Sequence, residues 1–248
     1  MTDGPGAAAV AGWTADEMMT VAAARHLADG EVCFVGIGLP STAANLARRQ
    51  QAPGLVLVYE SGTIGAKPGH LPLSIGDGVL AETADAVVPV PEIFNYWLQA
   101  GRIDVGFLGA AQIDRRGDIN TTVVGDYATP SVRLPGAGGA PEIATSCRRV
   151  VVVVRQSPRT FVDRLSFRTS IGDNVAVVIT DLGVLGRACD HPELVLTHVH
   201  PGCTVDQVRA ATGWPLRIAD EGVAETEPPS DQELAVLREL VAARGAAA

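Results

Sequence analysis

Short aliphatic runs separated by helical segments restrict the fold of this sequence more than any other feature. The runs within residues 150–155 and 175–181 place valine and isoleucine at successive positions, without alternating polar residues. Strands of this kind are buried on both faces, as in parallel sheets that are covered by helices. The sequence therefore predicts an α/β fold.

The order of elements near the start of the chain indicates how the sheet is connected. A strand at 31–35 leads through a glycine turn at 36–38 into a helix at 41–49, with Ser41 as its N-cap, and then into a strand at 55–59. This order predicts parallel pairing of the two strands through a helical crossover. The remaining predicted elements are strands at 86–89, 104–108, 150–155 and 175–181, and helices at 14–28, 92–100, 204–212 and 230–243.

These elements predict one domain, residues 13–243, with an open, mostly parallel sheet flanked by helices. A Gly/Ala/Pro-rich segment, 1–12, is expected to be a disordered lead-in, and 244–248 a flexible tail.

Charge and composition argue against several classes of function. The net charge is −9, and no block of basic residues could neutralise the phosphates of a nucleic acid. The longest aliphatic stretch is strand-sized, well below the roughly 18 residues of a membrane span, and no signal peptide is evident. The four cysteines lie far apart without a CxxC pair, so we expect reduced thiols and a cytoplasmic location.

Glu60 is the candidate nucleophile. It follows the predicted strand 55–59 and precedes the glycine-containing segment 61–65. Open α/β sheets place reactive groups at the carboxyl ends of their strands. A carboxylate is already an anion at neutral pH, whereas a serine needs a neighbouring base, and no convincing serine–histidine arrangement is present. A solvated acid at a strand end is the simpler alternative.

The glycine pair Gly36 and Gly38 is similar to a dinucleotide-binding motif, with Glu60 in the place of the ribose-binding acid. Ser41 replaces the third glycine, however, and Pro40 lies where the loop would approach a pyrophosphate. A structural turn is therefore the preferred interpretation, and a nicotinamide site is the alternative.

A second glycine-rich segment spans residues 134–142 and contains Gly136, Gly138, Gly139 and Ala140. Its backbone N–H groups are not covered by side chains, so such a turn can donate hydrogen bonds to a developing oxyanion. Taken alone, the segment is equally compatible with a plain loop.

His198, His200 and Cys203 could supply three zinc ligands, because alternate residues of a strand share a face. No fourth ligand is evident, and a structural role is preferred. We expect no metal.

The two candidate motifs together resemble a known family. Glu60-Ser61-Gly62 after a strand, followed later by the segment Gly136-Ala137-Gly138-Gly139-Ala140, resembles the β subunits of class I coenzyme A transferases. The similarity extends over about residues 14–240 and is strongest to the branch that acts on 3-oxoadipate and is related to the glutaconate branch. Ser61 stands where ketoacid-type members have asparagine, and segment 169–175 is shorter than in many members. The other similar segments are 34–41, 74–78, 92–99, 103–112 and 119–122.

The resemblance implies the β subunit of a CoA transferase, which moves CoA from succinyl-CoA to a 3-oxo dicarboxylic acid such as 3-oxoadipate during aromatic catabolism. It implies a ping-pong reaction through an anhydride and a thioester between CoA and the catalytic glutamate. Coenzyme A would be substrate and covalent intermediate, with no tightly bound cofactor. An α subunit would complete an αβ or α2β2 assembly, and no nucleic acid or membrane partner is expected.

The resemblance also assigns roles to residues. The expected roles are catalysis for Glu60, oxyanion or CoA binding for Gly136, Gly138, Gly139 and Ala140, and substrate or loop support for Ser61, Gly62 and Lys67. Arg102, Lys67 and Arg133 are candidates to bind the distal carboxylate of the acid. Alternatives are a transferase for glutaconate or another short acid, an acyl-CoA hydrolase on the same scaffold or, more remotely, a non-catalytic nucleotide- or sugar-binding module.

Overall fold

The computed structural model describes residues 12–187 and 192–246. Within these residues the helices are α1 Ala15–Arg25, α2 Leu39–Arg49, α3 Gly78–Glu82, α4 Val90–Glu92, α5 Ala140–Ser146, α6 Val205–Ala210 and α7 Asp231–Ala246, with a π-helix at Ile93–Leu98. The strands are β1 Val32–Phe34, β2 Val56–Val58, β3 Thr63–Ile64, β4 Ala86–Val87, β5 Val105–Leu108, β6 Gln112–Ile113, β7 Ile119–Asn120, β8 Val123–Gly125, β9 Pro130–Arg133, β10 Arg149–Val153, β11 Val175–Ile179, β12 Gly183–Arg187, β13 Leu194–Val199, β14 Arg217–Ile218 and β15 Ala224–Glu225.

One mixed sheet organises the described chain. Its centre has the order β2-β1-β5-β10-β11, and all neighbours in this centre are parallel. Antiparallel strands extend it on both sides, β12 and β13 beyond β11, and β3 and β4 beyond β2. Strands β14 and β15 both pair with β13, and β6-β7 and β8-β9 form two separate hairpins. The predicted α/β fold with a mostly parallel sheet is confirmed.

Both faces of the central sheet are covered, which explains the unbroken aliphatic runs. Val151 and Val153 of β10 pack into a core shared with buried residues of α1, α2 and α7. Val150 and Val152 point to the other face and pack into a second core with residues of the π-helix and α5. Each successive side chain of such a strand is therefore removed from water.

Helix α2 begins two residues earlier than predicted, so the assignment of Ser41 as its N-cap is wrong. The N-cap is Gly38, and Pro40 occupies the first turn, where its missing N–H group costs no hydrogen bond. Ser41 lies buried within the helix, with its hydroxyl 3.2 Å from the Tyr59 hydroxyl.

The predicted helix at 92–100 is also different. It is a short α-helical turn followed by the π-helix, in which the Gln99 N–H donates to the Phe94 carbonyl oxygen at 2.9 Å. Helix propensities do not distinguish these wider turns from α-helical ones.

The predicted ends of the domain are tested only in part. Apart from Gly12, the predicted lead-in lies outside the described residues, as do the last two residues of the predicted tail. Helix α7 continues to Ala246, beyond the predicted end at 243.

The described cysteines are reduced and shielded. Cys33 and Cys147 are buried, and Cys203 is partly exposed. Burial raises the pKa of the Cys33 thiol far above its usual range and that of Cys147 to about 12. Burial also raises the pKa of Cys203. In the described part of the chain, no helix combines the length and hydropathy that crossing a membrane requires.

Candidate active site

A cleft of about 450 Å³ lies at the carboxyl ends of the central strands. Gly36 follows β1, Glu60 follows β2 and Gly109 follows β5, and all three line it. Parallel strands end at one edge of a sheet, so residues far apart in sequence meet there. The other lining residues are Phe34, Val35, Ile37, Pro40, Ile75, Phe107, Leu108, Ala110, Ala111, Thr121, Pro135, Gly136, Ala137, Gly138, Gly139, Ala140 and Ile143.

Glu60 lies in the tight turn between β2 and β3. The Gly62 N–H donates to the Tyr59 carbonyl oxygen at 3.0 Å, which places Glu60 and Ser61 at the two central positions of the turn. Gly62 has a φ of 110°, and a Cβ there would collide with the carbonyl oxygen of Val88. Only glycine fits both constraints. The Glu-Ser-Gly sequence is therefore the local requirement for presenting this carboxylate.

The structure brings Glu60 against the second glycine-rich segment. A Cβ at Gly139 would lie 3.4 Å from Oε1 of Glu60 and 2.9 Å from Cζ of Phe94. The carboxylate and the aromatic ring therefore contact the backbone of the turn on the same side. Phe94 in turn packs edge-on against Phe34, with ring centroids 6.4 Å apart.

The backbone N–H groups of the glycine turn differ in their availability. The Gly136 N–H donates to the Thr121 carbonyl oxygen at 2.9 Å, and the Ala140 N–H donates to the Ala137 carbonyl oxygen at 3.1 Å. Gly138 and Gly139 donate no backbone hydrogen bond within residues 12–187 and 192–246. These two N–H groups are thus the ones available to a ligand.

The charge of Glu60 has no ionic partner among the described residues. Its side chain is half-buried, and its neighbours in the cleft are mostly apolar. An anion in such surroundings is poorly solvated and is not held in place by a cation. This setting suits a nucleophile better than a structural acid.

Other predicted site residues lie elsewhere. Lys67 forms an ion pair with Asp85, and Arg133 lies over the Tyr127 ring at 5.1 Å from its centroid. Neither of them, nor Arg102, lines the cleft. Ser61 also lies outside the lining, although its hydroxyl is buried without a hydrogen-bond partner.

Sequence reasoning missed Phe94 and Thr121 as site residues. Both fall within segments that resemble the transferase family, 92–99 and 119–122, so the signal was present without a chemical reason to select them. The contact of Phe94 with the glycine turn depends on the π-helix, and Thr121 enters the cleft from the residue after strand β7.

His200 is part of the hydrogen-bonded interior. Its Nε2 lies 2.8 Å from the Thr180 carbonyl oxygen, and its Nδ1 lies 2.8 Å from the Thr226 hydroxyl. The carbonyl can only accept, so Nε2 carries the proton and Nδ1 accepts from Thr226. Both ring nitrogens are thus engaged, and the described residues contain no cluster of three or more histidine, cysteine or acidic side chains able to hold a metal ion.

Comparisons with known proteins agree with this site. The family model for coenzyme A transferase matches residues 16–211. The β-type subunit of the 3-oxoadipate CoA-transferase of Pseudomonas knackmussii is 57% identical over 95% of this chain and 96% of its own. The crystal structure of glutaconate coenzyme A-transferase from Acidaminococcus fermentans superposes with a TM-score of 0.85 at 28% identity, covering 92% of this chain and 94% of that one. The decarboxylase AibA/AibB superposes with a TM-score of 0.84 at 28% identity, covering 94% and 98%.

The chain belongs to the coenzyme A transferase family. Within that family it is a β subunit of a CoA transferase. The similarity to a decarboxylase shows that the scaffold alone does not define the chemistry, which rests on the side chains in the cleft. Family membership also favours the structural interpretation of the Gly36–Gly38 turn over a nicotinamide site.

Proposed function

We propose that this β subunit transfers CoA from succinyl-CoA to 3-oxoadipate, with Glu60 as the nucleophile. The observation that carries the proposal is the unpaired Glu60 carboxylate in contact with Gly139 in a largely apolar cleft. The choice of 3-oxoadipate is supported by the 57% identical relative with that name. The structural similarity to glutaconate coenzyme A-transferase makes a shorter dicarboxylic acid the second candidate.

The reaction begins when a carboxylate oxygen of Glu60 attacks the thioester carbonyl of the acyl-CoA donor. The C–S bond breaks, giving an acyl-glutamyl anhydride and the CoA thiolate. The thiolate then attacks the glutamyl carbonyl carbon, which releases the donor acid as a carboxylate and leaves a thioester between Glu60 and CoA.

The acceptor acid completes the cycle by the reverse steps. Its carboxylate attacks the glutamyl thioester, expels the thiolate and forms a second anhydride. The thiolate attacks the acceptor's carbonyl carbon, giving the new acyl-CoA and restoring the Glu60 carboxylate. Coenzyme A is therefore a substrate and a covalent intermediate, and no step needs a bound cofactor.

Each step passes through a tetrahedral intermediate with a negatively charged oxygen. Within the glycine turn, the N–H groups of Gly138 and Gly139 are available to stabilise it, whereas Gly136 and Ala140 shape the turn through their own hydrogen bonds. A donor of this kind typically contributes about 2.7–4 kcal/mol to the transition state.

An α subunit would complete the site. The cleft opens to the surface, and five large apolar side chains are exposed in the stretch of chain that follows the Glu60 turn. They are Leu73, Ile75, Val87, Val90 and Tyr96. Exposed apolar residues concentrated in one stretch are typical of a protein interface. We propose an αβ or α2β2 assembly, in the cytoplasm, where the described thiols would stay reduced.

Mass spectrometry of the reconstituted complex tests the proposal. With succinyl-CoA and no acceptor, we expect CoA to be attached to the peptide that contains Glu60. The variants Glu60→Ala and Glu60→Gln should abolish both the adduct and CoA exchange. Glu82→Gln, a change in an exposed glutamate of α3, is the matched control and should retain both. Full exchange by Glu60→Ala would rule out the covalent route.

A further inference from the structure

One residue of the cleft has a polar group that the fold leaves without a partner. Among the described residues, six buried side-chain polar atoms lack a hydrogen-bond partner, and they belong to Asn45, Ser61, Thr63, Thr121, Ser170 and Trp214. Of these six residues, only Thr121 lines the cleft.

The position of Thr121 is fixed by its backbone. Its N–H donates to the Thr169 hydroxyl at 2.9 Å, and its carbonyl oxygen accepts the Gly136 N–H at 2.9 Å. Thr121 is therefore attached to the glycine turn that contacts Glu60. Its hydroxyl is held at a defined point of the wall.

The composition of the wall makes this hydroxyl distinctive. Of the residues that line the cleft, only Glu60 and Thr121 have polar side chains, and the rest are glycine, alanine, proline or larger apolar residues. An ionised carboxylate can only accept hydrogen bonds. Thr121 is thus the one side chain of this lining that can donate a hydrogen bond to a bound acyl group.

An unpaired buried hydroxyl lowers stability, and a methyl group of the same shape would avoid that cost. The neighbouring Thr122 shows the contrast, because its hydroxyl lies 2.8 Å from that of Thr169 and it does not line the cleft. A hydroxyl that is unpaired only on the cleft side is explained by a partner in the ligand.

We infer that the Thr121 hydroxyl donates a hydrogen bond to a carbonyl or carboxylate oxygen of the acid substrate, and that it determines which acids are accepted. This inference rests on the proposed function and names a residue that acts on the acid, separately from the nucleophile.

The variant Thr121→Val in the αβ complex provides the test. Valine keeps the shape and removes the donor, so kcat/KM for the acid should fall about 10-fold or more. The melting temperature should stay the same or rise, because the hydroxyl has no partner within the protein. Thr121→Ser should restore most of the activity.

Two comparisons decide the outcome. Thr122→Val, the matched control, should lower the melting temperature and leave kcat/KM for the acid largely unchanged. An unchanged kcat/KM in Thr121→Val, or a melting temperature lowered as in Thr122→Val, would overturn the inference.

Binding of succinate to the complex, measured by calorimetry, needs no turnover. The Kd should rise about 10-fold in Thr121→Val, and equal Kd values would again contradict the role of the hydroxyl. Lack of transferase activity in the wild-type complex would instead overturn the proposed function, so the two failures are distinguishable.

Discussion

Position 139 shows how closely the residues of the site are fitted to each other. The Phe94 ring and the Glu60 carboxylate both occupy space next to the Gly139 backbone. In Gly139→Ala the new methyl group would be too close to the Phe94 ring, so the ring or the turn must move. A shift of about 1 Å at a reacting group can reduce the rate about 100-fold, and we expect a loss of that order in kcat.

Gly69→Ala is the control for this change. Gly69 has no heavy atom within 4 Å of its would-be Cβ and lies outside the cleft lining. Steady-state kinetics of the reconstituted complex should show wild-type kcat for this variant. Wild-type kcat in Gly139→Ala as well would mean that the contact with Phe94 does not position the nucleophile.

His200 predicts a pH dependence of stability. Burial lowers the pKa of His200 below its ordinary value of about 6.5. Below that pH the unfolded chain binds a proton that the folded protein excludes. The free energy of unfolding should therefore be greatest above about pH 6.5 and fall as the pH is lowered toward the folded-state pKa. One such group gives a slope of at most about 1.4 kcal/mol per pH unit.

Urea unfolding at a series of pH values measures this slope. In His200→Gln the side chain cannot be protonated, so the dependence between about pH 5 and 7 should become flatter. The absolute stability of the variant is not the readout, because the substitution also disturbs two hydrogen bonds. An unchanged slope would show that His200 is not responsible.

At the level of elements, the N-terminus of α1 joins local sequence to long-range packing. Thr14 and Glu17 form the predicted capping box, and the Glu17 carboxylate also accepts a hydrogen bond from Nε of Arg238 in α7 at 2.6 Å. This bond from Arg238 lowers the pKa of Glu17. The cap of one helix therefore also fixes the position of another.

Thr14→Ala should lower the free energy of unfolding by about 1 kcal/mol, since the cap hydroxyl no longer accepts the Glu17 N–H. Thr145→Ala, the same substitution inside α5, should be neutral or slightly stabilising, because the Thr145 hydroxyl only bonds back to carbonyl oxygens of its own helix. Chemical denaturation of both variants makes the comparison. Equal effects would argue against a role for the cap.

The elements that could be predicted are those with strong local signals. The capping boxes at Thr14 and Thr204 and the aliphatic strand β10 lie close to where the sequence predicts them. The two-residue strands β3 and β4 were not predicted, because they are held by pairing across the sheet and not by their own residues. The π-helix belongs to the same group, since its wider turns depend on tertiary packing.

At the scale of the whole molecule, the proposal is that this chain is half of an enzyme. The isolated chain should show no CoA transfer, and addition of the α subunit should restore it. A complex built with Glu60→Ala should remain inactive although it assembles. Activity assays combined with size-exclusion chromatography separate assembly from catalysis, and enzymatic rates from the isolated chain would contradict the proposal.

The arrangement of the site follows partly from sequence and partly from topology. The glutamate and the glycine turn could each be selected by their chemistry, and parallel strands bring their carboxyl ends to one edge. Thr121 could not be selected, because a threonine has no distinguishing chemistry until its hydroxyl is seen without a partner in the cleft wall.

The buried cysteines have a practical consequence for measuring the reaction. At neutral pH the sulfhydryls of Cys33 and Cys147 stay protonated and inaccessible, and that of Cys203 is largely protonated. A chromogenic disulfide reagent reacts with thiolates. Added during turnover, it should register the sulfur of liberated coenzyme A with little background from these three positions, so leakage of the carrier from the folded protein can be timed directly.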